Sequence, residues 1–163
     1  MAIDKIQSES INLADTFAFT GTVTGAGGVN TPYFSAGSSS YTSVAHNTYT
    51  KLAFNSEIYD PQSTYDHSSN YRFTPNVSGK YLIFAHAFMN TGDNFEFFGI
   101  RLYKNGSGGF SSFTSNEDHN HVFITSLVTA NGSSDYFEIF GMQQGGTTYN
   151  MGASEFSAFK IIE

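Results

Sequence analysis

The stretch KYLIFAHAFM, residues 80–89, constrains this chain more than any other segment. A β-strand points successive side chains to opposite faces. Tyr81, Ile83, Ala85, Ala87 and Met89 share one face, and Leu82, Phe84, His86 and Phe88 share the other. Neither face is polar. A strand in a two-layer sandwich normally shows water one polar face. The second apolar face therefore needs a cover: a loop, an N-terminal arm, or copies of the same chain around a symmetry axis. Alternation leaves open which face is core, so Tyr81, Phe84, His86, Phe88 and Met89 are the interface candidates.

Composition supports hidden area beyond an ordinary core. Charged residues are 13% of the 163 and aromatics 17%, against a usual charged share of about 25%. Such low charge with many rings suits an oligomer. Asp plus Glu number 14 against 7 Lys plus Arg, and no basic patch occurs, which argues against nucleic acid as a partner. The absence of cysteine fits a reducing cytosol or a particle assembled there. The opening MAIDKIQSES has no basic region followed by an apolar core, so no signal peptide is read. No apolar run reaches the ~18–20 residues of a membrane-spanning helix, and no membrane insertion is expected. The Asn-x-Ser sequons at Asn76, Asn105 and Asn131 are read as chance in an Asn- and Ser-rich chain.

Helical periodicity is nearly absent. DKIQSESINLAD is the best helix candidate, short and poorly apolar. Residues 1–28 read as an arm ending in a Gly-rich joint, and residues 29–163 as one domain. From Thr31 onward short strands follow one another: PYFSAG, YTKLAFNS, YRFTP, KYLIFAHAFMN, NFEFFGIRLYKNG, GFSSFTS, HVFITSLV, YFEIFGM and SEFSAFKII. Asn105-Gly106 and Asn131-Gly132 supply the residues tight turns want. Strands at this spacing without helices predict an all-β antiparallel sandwich or barrel.

Little in the chain suggests catalysis. GSGG and GAGG precede no helix and cannot cradle a nucleotide, and no Ser-His-Asp order carries recognisable flanks. The chain is expected not to be an enzyme. His119-x-His121 places two imidazoles on one side of a strand, near Glu117 and Asp118. That is a donor set for a metal, or a polar loop entering a strand. Asp93 and Asn94 in NTGDN form an oxygen-rich loop or an Asx turn; calcium wants 6–8 oxygens. No cofactor is required on this reading, with calcium or another divalent ion as the candidate. His86 reads as a buried, hydrogen-bonded histidine or one at a subunit seam.

Pieces in a fixed order carry a resemblance. They are FNSEIYD, RFTPNVSGKY, KNG, the strand opening Asp135-Tyr136-Phe137-Glu138 and the closing EFSAFKI. Over about Tyr33 to Ile162 the chain resembles the globular head of complement component one-q, within the tumour-necrosis-factor-like jelly-roll superfamily. Ala158 stands where that family usually has Gly. The resemblance implies an antiparallel jelly roll of about ten strands that forms a homotrimer through aromatic-rich strands. With neither cysteine nor a Gly-X-Y stalk, the chain is similar to the compact versions carried by bacteriophages.

Strand parity then sorts the loops. If KYLIFAHAFM runs up, NTGDN, NEDHN and QQGGTTYN lie at the top and both Asn-Gly turns at the bottom. The family's first strand lies beside its last, which places the arm low. The top then displays the binding candidates Asp93, Asn94, Glu117, Asp118, His119, Tyr149 and Asn150, where one ring among amides suits sugar or protein. The resemblance implies a virion structural and adhesion module, such as a tail-fibre tip or head decoration. Made in the host cytoplasm, it would dock a virion protein by its arm and meet a host surface glycan or protein. The alternative is a lectin-like carbohydrate-binding module of phage or bacterial origin, with calcium as its candidate ion, extracellular or on a bacterial surface.

Overall fold

The computed structural model describes residues 30–89, 95–115 and 120–161. The arm, the helix candidate, and Asp93, Asn94, Glu117, Asp118 and His119 all lie outside the described residues. Twelve strands occur among those described: β1 (Tyr33–Gly37), β2 (Thr42–Val44), β3 (Thr50–Lys51), β4 (Ser56–Tyr59), β5 (Tyr65–Asp66), β6 (Arg72–Phe73), β7 (Ser78–Met89), β8 (Phe97–Lys104), β9 (Ser107–Ser115), β10 (His121–Asn131), β11 (Phe137–Gln144) and β12 (Tyr149–Lys160). They form two antiparallel sheets. One runs β10-β7-β12-β1-β4, with β2 against the start of β12. The other runs β5-β6-β11-β8-β9, with β3 against β11. This is a jelly-roll sandwich.

The core lies between the sheets and settles the parity of β7. Tyr81, Ile83, Ala85, Ala87 and Met89 are all fully buried. They share the core with Phe98, Ile100 and Leu102 of β8 and Phe137 and Ile139 of β11. Rings dominate it. Phe34 stacks on Tyr65 and Phe73 at centroid distances of 4.5 and 4.7 Å and meets Phe156 edge-on at 4.9 Å. Offset and edge-on pairs suit the ring quadrupole. The Tyr81 hydroxyl donates to the Val77 carbonyl at 2.6 Å, and burial pushes its phenol up to about 12. Tyr81 and Met89 are therefore core residues, which corrects their grouping with the interface candidates. A ring and a thioether pack equally well in either setting, so residue type alone misplaces them.

Asn105-Gly106 closes a two-residue hairpin, with Lys104 opposite Ser107. Both turn residues have positive φ, 52° and 77°, the geometry whose twist matches antiparallel strands. The Asn105 amide oxygen accepts from Tyr136 N–H at 2.9 Å, and its NH2 group donates to Asp135 at 2.8 Å. This turn is thus tied to the β10–β11 crossing at the same end of the sandwich.

The turn after β5 rests on one carboxylate. Asp66 accepts from the backbone N–H groups of Ser68, Ser69 and Asn70 at 3.0, 2.9 and 3.2 Å, and from the Asn70 side chain at 2.6 Å. The Ser69 N–H, followed by the Asn70 side chain, holds this carboxyl well below the usual carboxylate range. A depressed carboxylate stabilises the fold above the unfolded value of about 4, and that stabilisation fades as pH falls further. Asp66→Asn is therefore expected to melt below wild type at pH 7, with the gap closing toward pH 3. Thermal melts at the two pH values check this.

Candidate functional site

The outer face of the β10-β7-β12-β1 sheet is the feature a lone sandwich does not explain. Strand register arranges it in rungs. Leu127, Leu82, Phe159 and Tyr33 line up across four strands, and Thr125, Phe84, Ser157 and Ser35 form the next rung. Phe123, His86 and Glu155 follow, then His121, Phe88 and Gly152. Phe123, Leu127 and Phe159 are 52%, 56% and 41% exposed. Tyr59 on β4 extends the patch, its ring edge-on to Tyr33 at 5.8 Å. A contiguous apolar patch rimmed by polar groups marks an interaction surface.

Polar groups cross the patch in its upper half. His86 Nε2 and His121 Nδ1 stand 2.8 Å apart, so one ring donates and the other accepts. The Phe123 ring lies almost parallel to His86, with centroids 4.3 Å apart and a 6° tilt. Burial, then the neighbouring His121, lowers the His86 pKa, and Glu155 opposes both. The Glu155 carboxylate accepts from Ser157 Oγ at 2.9 Å. Gly152 has no Cβ because the space holds the Phe88 ring: an added carbon would sit 2.4 Å from it. A pocket of about 410 Å³ opens beside Phe88, between Ser38–Tyr41 and Gly152–Ser154.

No sequence-family model matches this chain, and no curated protein sequence matches it. Solved structures do. The globular domain of zebrafish complement 1qA protein aligns with 80% of this chain and 97% of its own, at TM-score 0.59 and 18% identity. The vertex protein P5 of phage PRD1 aligns with 82% and 99%, at TM-score 0.60 and 18% identity. Murine APRIL aligns with 79% and 98%, at TM-score 0.59 and 11% identity. The chain has the complement one-q/tumour-necrosis-factor-like jelly-roll fold.

In this jelly roll the interface candidates divide. Phe84, His86 and Phe88 lie on the outer face, whereas Tyr81 and Met89 do not. Sequence reasoning missed Phe123, Leu127 and Phe159. Their signal was the alternation of HVFITSLV and EFSAFKII, which places each opposite the buried parity of its strand.

Of the binding candidates, the described residues include Tyr149 and Asn150. They open β12 rather than belonging to a loop, because Tyr149 pairs with Val44 and Asn150 with Ser43. Asn150 accepts from Ser43 Oγ at 2.9 Å. The Tyr149 ring lies over Gly145, where an added Cβ would sit 2.2 Å away, so the ring is half-buried. The stems of the two loops carrying the other candidates leave the same end: Met89 N–H donates to the Asn120 carbonyl, the Asn120 side-chain NH2 donates back to the Met89 carbonyl, and Glu96 N–H donates to the Gln144 carbonyl. His46 and Gln143 hold this end together and were not foreseen. Gly146 N–H donates to His46 Nδ1 at 2.9 Å, and the Gln143 NH2 group donates to the Val44 and Thr147 carbonyls. His121 pairs with His86, a partner its own sequence neighbourhood does not contain.

Proposed function

We propose that this protein is a homotrimeric structural and adhesion module of a virus particle, a fibre tip or a capsid decoration. The observation that carries the reading is the apolar outer face of the β10-β7-β12 sheet, which is suited to bury itself against copies of the chain. Likeness of fold to a phage vertex protein along nearly the whole length of that protein supports a place on a virion. The outer face supplies a self-association surface at the side of the jelly roll. This leaves the end bearing Tyr149, Asn150 and the flanking loops for a host surface glycan or protein. Residues 1–28 serve as the attachment element to a virion protein.

Two experiments test the reading. A chain lacking residues 1–28 is expected to keep the wild-type oligomeric mass and fail to enter assembled particles; normal incorporation refutes the docking role. Asp118→Ala with Asn150→Ala is expected to weaken adsorption to host cells at least several-fold while the melting temperature stays within a few degrees. Unaltered adsorption moves recognition away from this end, to the flanks between subunits.

A further inference from the structure

Two imidazoles 35 positions apart in the chain meet nitrogen to nitrogen on the outer face, with His86 Nε2 and His121 Nδ1 separated by 2.8 Å. Zinc–imidazole bonds are about 2.0–2.1 Å, and tetrahedral geometry then places two nitrogens of one ion about 3.3 Å apart. An ion that replaces the shared proton, with the exposed His121 ring turned outward, would take up that spacing. The site is also held in place. β7 and β10 pair without a break from His121–Phe88 to Asn131–Ser78, and the parallel Phe123 ring restrains His86. Rigid strands and packed rings are what a chelating pair needs.

We infer that His86 and His121 are ligands of a divalent transition-metal ion of the zinc type. Imidazole nitrogen favours such ions, whereas calcium selects oxygen. The pair differs from the His119-x-His121 spacing and uses a strand the sequence never connected to it. Among the described residues, no three His, Asp or Glu side chains of one chain gather about a point. Ligands beyond the two fall to water or to a neighbouring copy, and for the latter the inference rests on the proposed self-association. Metal would then stiffen the upper half of the seam, where His86, His121 and Glu155 cross the apolar patch.

The test titrates zinc chloride into the untagged chain by calorimetry, with the mass of the same samples followed by light scattering. No more than one ion per chain should bind. His86→Ala with His121→Ala should weaken binding at least ten-fold, while His46→Ala and His67→Ala leave it unchanged. Copper(II) added to the unmodified chain should show coupling to two imidazole nitrogens by electron paramagnetic resonance, a readout independent of how the variant folds. Unchanged zinc affinity in the double variant, or a copper spectrum without imidazole nitrogen, overturns the inference. A trimer that binds no zinc overturns it and leaves the assembly standing. A monomer that binds zinc through the pair upholds the metal site and overturns the assembly.

Discussion

Phe123→Asp with Leu127→Asp is expected to convert the assembly into folded monomers of 17.8 kDa. Both side chains stand on the outer face of β10, more than half exposed in the single chain. Fully burying a Phe or Leu yields about 1.5–3 kcal/mol, so two half-exposed residues contribute on the order of 2 kcal/mol per chain. Aspartate removes that gain and adds the cost of pressing an unpaired charge into an apolar seam, which is several kcal/mol more. Every seam of a symmetric assembly carries the substitution. The fold should survive, because Val122 and Ile124, on the opposite parity of the same strand, keep their places in the core. Light scattering with a circular dichroism melt reads both outcomes. An unchanged mass means the patch is not the contact surface.

The second large effect contrasts two phenylalanines three positions apart on β12. Phe156 is fully buried and touches the rings of Phe34, Phe54 and Tyr65 at centroid distances of 4.9, 5.5 and 5.7 Å. Phe156→Ala is expected to cost about 3–5 kcal/mol of folding stability, a large share of the roughly 5–15 kcal/mol typical of a domain. Phe159 faces outward on the lowest rung beside Leu82 and Tyr33. Phe159→Ala should leave the stability of the dissociated chain within about 1 kcal/mol and weaken assembly instead. Denaturant titration at low and high protein concentration separates the two. Equal losses of folding stability would contradict the parity assigned to β12.

The architecture was largely legible because turn residues and alternation are local signals. Asn105-Gly106 announces its hairpin within two residues. Counting strand directions placed the stems of the β7–β8 and β9–β10 loops at one end without any knowledge of pairing. The inside and outside of β7 were not legible. Alternation groups Tyr81 with Met89 and Phe84 with Phe88, but only the facing sheet decides which group it buries. The mixed character of β10 hid its role in the same way. His121, Phe123, Thr125 and Leu127 share one face and Val122, Ile124 and Ser126 the other, so neither reads as purely core. Gly145, Gly146, Thr147 and Thr148 look like a loop and draw Tyr149 and Asn150 into it. The strand begins earlier because β2, which lacks a strong strand signal, supplies its partner. The meeting of His86 and His121 depends on an eleven-residue register between distant strands, which residue types do not encode locally.

On the proposed reading, identical copies around a three-fold axis cover the outer face of the β10-β7-β12 sheet. Sedimentation equilibrium of the full chain at micromolar concentration addresses it directly. A single species of three times the 17.8 kDa chain mass is expected. A well-folded species of one chain mass under those conditions would contradict it.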